Sequence, residues 1–86
     1  MYRILIKKTA LKSLDKLPLD ILESINEKIF SLAKNPRPRG CKKLILKENL
    51  YRIRVSSYRI VYTIQDKILT IEIIKISKRD EVYKDL

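Results

Sequence analysis

Three arginines, Arg52, Arg54 and Arg59, alternate with apolar residues in a stretch that reads Tyr-Arg-Ile-Arg-Val-Ser-Ser-Tyr-Arg-Ile-Val-Tyr over 51–62. Period-two alternation on both sides of Ser56-Ser57 predicts two strands joined at that serine pair. A hairpin closed there sets Val55 across from Tyr58, Arg54 from Arg59, Ile53 from Ile60, Arg52 from Val61 and Tyr51 from Tyr62. Tyr51, Ile53, Val55, Tyr58, Ile60 and Tyr62 then share one face, and the three arginines occupy the other. The default for arginines on a strand's outer face is simple solvation. Setting Arg54 against Arg59, however, opposes two like charges and costs folding energy. Such a pair suits a surface built to receive an anion.

A second group closes the chain. Lys78, Arg79 and Tyr83 follow the last predicted strand and are expected near one sheet edge; the sequence alone does not bring them to the arginines. If the two groups meet, the inventory is several cations and a phenol. The chain has no histidine, which excludes a histidine-pair ribonuclease and any Ser-His-Asp or Cys-His nucleophile. The ten acidic residues are scattered, so a two-metal nuclease lacks converging carboxylates. No metal ligand cluster and no cofactor motif can be written. What remains is phosphate chemistry driven by positioning and charge. RNA carries its own nucleophile, the 2′-hydroxyl beside each phosphate. Arginine suits the developing charge through its planar paired donors. Tyr83 could stack on a base or handle a proton.

The elements that must position these residues are legible in outline. Residues 2–7 read as a first strand with Tyr2, Ile4 and Ile6 on one face. Thr9 is a plausible N-cap, with Ala10, Leu11, Leu14 and Leu17 at helical spacing. A second helix starts near Pro18 to Asp20. Its stripe is Leu22, Ile25, Ile29 and Leu32, widened by Ile21 and Ala33, and Asn35-Pro36 stops it. Pro36 and Pro38 then make an irregular basic segment holding Arg37, Arg39, Lys42, Lys43 and Lys47, with a short strand near 42–46. With Lys78, these cations are the expected contacts to an RNA backbone. After the hairpin, Gln65-Asp66-Lys67 turns into a long apolar strand over 68–76. The order is β-α-α followed by four strands, an α+β layout with the helices on one sheet face and a single domain over 1–86.

Composition agrees. Twenty Lys/Arg against ten Asp/Glu give a net charge of +10, with 45 % hydrophobic residues. A domain this basic attracts polyanions, nucleic acid first and a membrane surface second. No signal peptide or transmembrane segment is readable, so a cytoplasmic setting is expected. The single glycine, Gly40, leaves no phosphate-cradling loop. The single cysteine, Cys41, has no partner for an internal disulfide and no histidine to activate it.

The 51–62 pattern resembles the RelE/ParE toxin superfamily of toxin–antitoxin systems. Asn35-Pro36-Arg37-Pro38 before Lys42-Lys43-Leu44, the Lys78-Arg79 pair and the Glu81-Val82-Tyr83 ending agree with it, and the likeness covers essentially the whole chain. The resemblance implies a compact β-α-α-β-β-β fold with a curved antiparallel sheet. It implies a ribosome-dependent endoribonuclease that cuts messenger RNA in the decoding site, without metal or cofactor. It implies a cognate acidic antitoxin, with room for a heterotetramer. By the same resemblance the catalytic positions are Arg52, Arg54, Arg59, Arg79 and Tyr83, with Arg59 and Arg79 on the transition-state phosphate. The best-known member has lysines where this chain has Arg52 and Arg54. Arginine stays protonated, which leaves the general base open. The alternative within the superfamily is a ParE-like inhibitor of DNA gyrase that cleaves nothing.

Overall fold

A computed structural model describes residues 1–45 and 47–78. The chain runs β1 (Arg3–Ile6), α1 (Lys8–Asp15), α2 (Leu19–Lys34), β2 (Lys42–Lys43), β3 (Leu50–Val55), β4 (Tyr58–Gln65) and β5 (Thr70–Lys78), with a 3₁₀ turn at Asp66–Ile68. The five strands form one sheet in the order β1-β5-β4-β3-β2. Both helices pack on one of its faces, as α+β segregation requires.

The β3–β4 hairpin has the register its alternation predicts, from Tyr51 opposite Tyr62 to Val55 opposite Tyr58. Ser56 takes a φ of +56° at the turn, since a two-residue hairpin needs positive φ there. The long last strand is buried in the middle of the sheet, between β4 and β1. It begins at Thr70 rather than at Ile68. Leu69 is left-handed at φ +48° and ends the 3₁₀ turn, so pairing cannot start before it.

β1 pairs with β5 in parallel, Ile4 beside Ile71 and Ile6 beside Ile73. The sheet is therefore mixed, where the resemblance implied antiparallel pairing throughout. Placed there, β1 covers the second edge of β5 and aligns its isoleucines with the core. The same pairing moves the start of α1. Lys7 N–H still donates to the Ile73 carbonyl at 2.9 Å, and Leu11 N–H already donates back to the Lys7 carbonyl at 2.9 Å. Lys7 is thus the N-cap and Thr9 lies inside the helix. Its Ala10 and Leu14 reach the core.

The core lies between the helices and the sheet. Ile25, Ile29 and Leu32 of α2 meet Tyr51, Ile53, Ile60, Tyr62, Ile64, Ile71, Ile73 and Ile76. The expected α2 stripe is the buried one, with Ile21 and Leu22 partly covered at its margin. A smaller cluster sits on the outer face, where Leu50 and Val61 are covered by Leu44 and Ile74. No helix among the described residues is long and apolar enough to cross a membrane.

Candidate nucleic-acid interface

Alternation along β3 and β4 decides which side chains meet on the outer face. With Ile53, Val55, Ile60 and Tyr62 turned to the helices, Arg52, Arg54 and Arg59 must point away from them. Two rows cross the sheet. Arg54 stands opposite Arg59, whose neighbour on β5 is Ser77. Arg52 stands opposite Val61, whose neighbour is Lys75, and Lys42 of β2 flanks Arg52 on its other side. Directly opposed residues have Cα atoms about 4.5–5.5 Å apart, so these rows place cations in close company.

Lys75 was not among the expected cations. β5 carries an irregularity there: Val61 pairs with Lys75 but Tyr62 with Ile73, which leaves Ile74 as an extra residue. The bulge shifts the strand's parity, putting Lys75 on the arginine face while Ile76 returns to the core. Simple alternation from Ile71 and Ile73 would have sent Lys75 to the core side.

The three arginines differ in setting. Arg54 is exposed and Arg59 half-buried. Arg52 is only 6 % exposed. Its Nη1 donates to the Gly40 carbonyl at 3.4 Å. Gly40 holds a φ of +94° with open space around its α-carbon. The glycine is needed for its backbone angle, not for room. Arg52 thus braces the 35–41 loop against the sheet while its charge lies under the outer face. At the hairpin tip, Arg54, Ser56, Ser57, Tyr58 and Arg59 line an open cleft of about 380 Å³. Among the described residues its lining holds two guanidinium groups.

The basic segment divides in two. Arg37 is committed to a clamp. Its Nη2 lies 2.9 Å from Asp66 Oδ2 and its Nη1 donates to Oδ1 at 3.3 Å. Its Nε donates to the Tyr51 hydroxyl at 3.3 Å, and the guanidinium lies 5.3 Å from the Tyr51 ring centroid. Tyr2 completes the clamp by donating its hydroxyl to Asp66 Oδ1 at 2.6 Å. The Arg37 guanidinium, aided by Tyr2, holds the Asp66 carboxyl below its ordinary range. The same bond to Asp66 raises the Tyr2 phenol. Beneath them Tyr51 stacks on Tyr62, whose hydroxyl donates to the Pro36 carbonyl at 2.8 Å. Burial, with Cys41 beside it, pushes the Tyr62 phenol up. Arg39, Lys42, Lys43 and Lys47 remain exposed, and Lys42 joins the arginine face through its register with Arg52.

Lys78 ends β5 opposite Tyr58, beside the hairpin-tip cleft, and is exposed. Arg79 and Tyr83 lie outside the described residues. The described residues accordingly bring together Arg52, Arg54, Arg59, Lys42 and Lys75 on one face, place Lys78 at its margin, and divert Arg37 to the clamp. Among the described residues, no three His, Cys, Asp or Glu side chains converge as metal ligands.

Similarity to known proteins extends over most of the chain. The family model for the ParE toxin of the type II toxin–antitoxin system parDE matches residues 4–83. A candidate RelE1 toxin of Methanocaldococcus jannaschii is 34 % identical over 89 residues, covering 98 % of this chain and 97 % of that protein. The RelE toxin of Mycobacterium tuberculosis is 34 % identical over 84 residues, covering 96 % and 87 %. Among solved structures, the archaeal RelE–RelB complex of Pyrococcus horikoshii superposes with a TM-score of 0.82 at 32 % identity, covering 91 % of this chain and 94 % of that one. The chain belongs to the RelE/ParE toxin superfamily of type II toxin–antitoxin systems.

Proposed function

We propose that the chain is a RelE-like messenger-RNA interferase, an endoribonuclease that cuts messenger RNA in the ribosomal decoding site and so arrests translation. The observation that carries this reading is the row in which Arg54 and Arg59 face each other across the hairpin and line one open cleft. In the proposed reaction the 2′-oxygen attacks the adjacent phosphorus in line and the bond to the 5′-oxygen breaks. The 2′-hydroxyl proton is lost and the departing 5′-oxygen gains one. The products are a 2′,3′-cyclic phosphate and a 5′-hydroxyl. Charge grows on the non-bridging phosphate oxygens, and the fixed guanidinium groups of Arg54 and Arg59 stabilise it. Arg52 adds its charge from below and positions the loop that carries Arg39 and leads into Lys42 and Lys43 of β2. By the family resemblance Arg79 joins Arg59 on the phosphate, and Tyr83 stacks on the nucleotide or takes the proton that no arginine can accept. No metal or cofactor enters the scheme.

The partner in this reading is an acidic antitoxin. The RelE of P. horikoshii is bound to RelB in its structure. A chain of net charge +10 is stabilised by an acidic partner that binds only its folded form. The antitoxin would neutralise the arginine face, in a heterotetramer or a simpler assembly, and the toxin would act in the cytoplasm on ribosomes. The second reading, gyrase inhibition, has one observation in its favour: the family model that matches is the ParE one.

Primer-extension mapping of a messenger RNA, with and without translating ribosomes, tests the proposal. Cuts within codons that appear only with ribosomes are expected. Growth arrest without cuts, together with loss of supercoiling by purified gyrase, would replace it with the second reading.

A further inference from the structure

The arginine face is not the only cationic surface. Lys8, Lys12 and Lys16 recur every fourth residue along α1 and its C-cap, and all three are exposed. They lie on the side of the helix away from Ala10 and Leu14, which are buried against the sheet. Because α1 covers the face opposite the arginines, this lysine ridge and the arginine rows point to opposite sides of the domain. None of the three lysines makes an ion pair among the described residues.

Local stability does not account for the ridge. Like charges four residues apart on a helix repel. Lys8 and the N-cap Lys7 also sit at the positive end of the helix dipole, and the first turn has no acid to offset them. The neighbouring helix carries the reverse pattern. Asp20, Glu23 and Glu27 of α2 are exposed on its outer side. The helical layer is therefore uneven in sign, although Asp15 of α1 and Lys34 of α2 are exposed as well, and an anion approaching it is drawn to α1 more than to α2. A rise of about 6 Å per four residues spreads the ridge along a line, which suits a row of backbone phosphates better than one small ion.

We infer that Lys8, Lys12 and Lys16 form a second RNA-docking surface that grips the phosphate backbone of a base-paired RNA segment while the arginine face holds the single strand. The domain then sits between two RNA walls. The inference deepens the interferase reading and rests on it for the choice of RNA as the polyanion.

The test measures binding of the full-length chain to two protein-free probes, a 20-base-pair RNA duplex and a single-stranded RNA of 10 nucleotides, over a series of salt concentrations. The variants are the triple substitutions K8A/K12A/K16A and K8Q/K12Q/K16Q, beside R54A/R59A. Three lost phosphate contacts should make the slope of log affinity against log salt less negative by about 2.7 for the duplex. The single-strand slope should be retained in the lysine variants and reduced in R54A/R59A. Removing repelling charges and adding better helix formers should leave the K8A/K12A/K16A chain melting no lower than the parent, so a folding defect cannot mimic the result. A duplex slope unchanged in both lysine variants overturns the inference. So does a loss on the single strand equal to that on the duplex. Because neither probe contains ribosomes, these outcomes are independent of whether the chain cuts messenger RNA.

Discussion

Arg37 reaches across from the proline-rich loop to Asp66 in the β4–β5 turn, meeting its carboxylate with both terminal nitrogens at 2.9 and 3.3 Å. The pair ties two segments far apart in sequence, and Tyr2 brings the first strand into the same knot. Its energetics have a defined pH profile. The Asp66 carboxyl is held below its ordinary value of 3.8, chiefly by Arg37. Its contribution is present above the ordinary carboxylate range and is lost as pH falls through the depressed folded value. The Tyr2 phenol is raised above 10.0 by Asp66. Its contribution is present below 10.0 and is lost as pH rises through the folded value. Both groups are at the surface, so salt screens the effect. Melting temperatures from pH 6 to 2.5 should fall less steeply for Asp66→Asn than for the parent. Tyr2→Phe should flatten the decline above pH 10. A parent-like acid limb in Asp66→Asn would show that the clamp does not set this profile.

Arg54 and Arg59 carry the charge at the cleft, and their substitution should separate activity from folding. Arg59→Ala should reduce ribosome-dependent cleavage by about 10²- to 10³-fold, the usual loss for one preorganised donor. Arg59→Lys should recover little of it, because an ammonium cannot present two coplanar donors to a phosphate. Single-turnover cleavage on stalled ribosomes reads this directly. Full activity in the lysine variant would show that charge alone suffices.

Two backbone positions should respond in opposite directions. Gly40 at φ +94° accepts no side chain without strain although space is open. Gly40→Ala should cost about 1–3 kcal/mol and disturb the carbonyl that Arg52 holds. Ser56 at φ +56° is a serine doing a glycine's task. Ser56→Gly should gain up to about 1 kcal/mol. At about 4–8 °C per kcal/mol for a domain of this size, thermal melting resolves both.

Tyr62 lies under the cation-bearing loop and bonds the Pro36 carbonyl. Tyr62→Phe keeps the buried ring and removes only that bond. It should cost about 0.5–1.5 kcal/mol. Amide exchange in the 36–41 segment should rise, because the loop loses one of its attachments. Unchanged exchange there would mean that the Arg37 clamp alone holds the segment.

The hairpin was legible because alternation is strict on both strands and the serine pair leaves a single sensible register. Other features depend on events that a local pattern does not encode. Arg52 has the same spacing as Arg54, yet it is buried and Arg54 is not. The difference comes from the neighbouring Gly40 turn, a tertiary contact. Lys75 escaped notice because a bulge at Ile74 reverses parity. The direction of β1 was illegible for a simpler reason: an apolar alternation over four residues reads the same in parallel and antiparallel pairs. Arg37 looked like one more loop cation until Asp66, on a distant turn, came beside it.

The parallel pairing of β1 with β5 also orders events in time. Arg3 meets Thr70 and Ile6 meets Ile73, so the first strand finds its mate only when nearly the whole chain exists. Before residues 70–78 leave the ribosome, β1 has no neighbour, β4 has an open edge, and α1 lacks the strand it packs on. Contacts this distant in sequence also form slowly. A nascent or truncated chain that ends before the last strand therefore carries every arginine of the hairpin without the sheet that presents them. The topology makes the last strand the piece that completes the sheet on which the arginines stand.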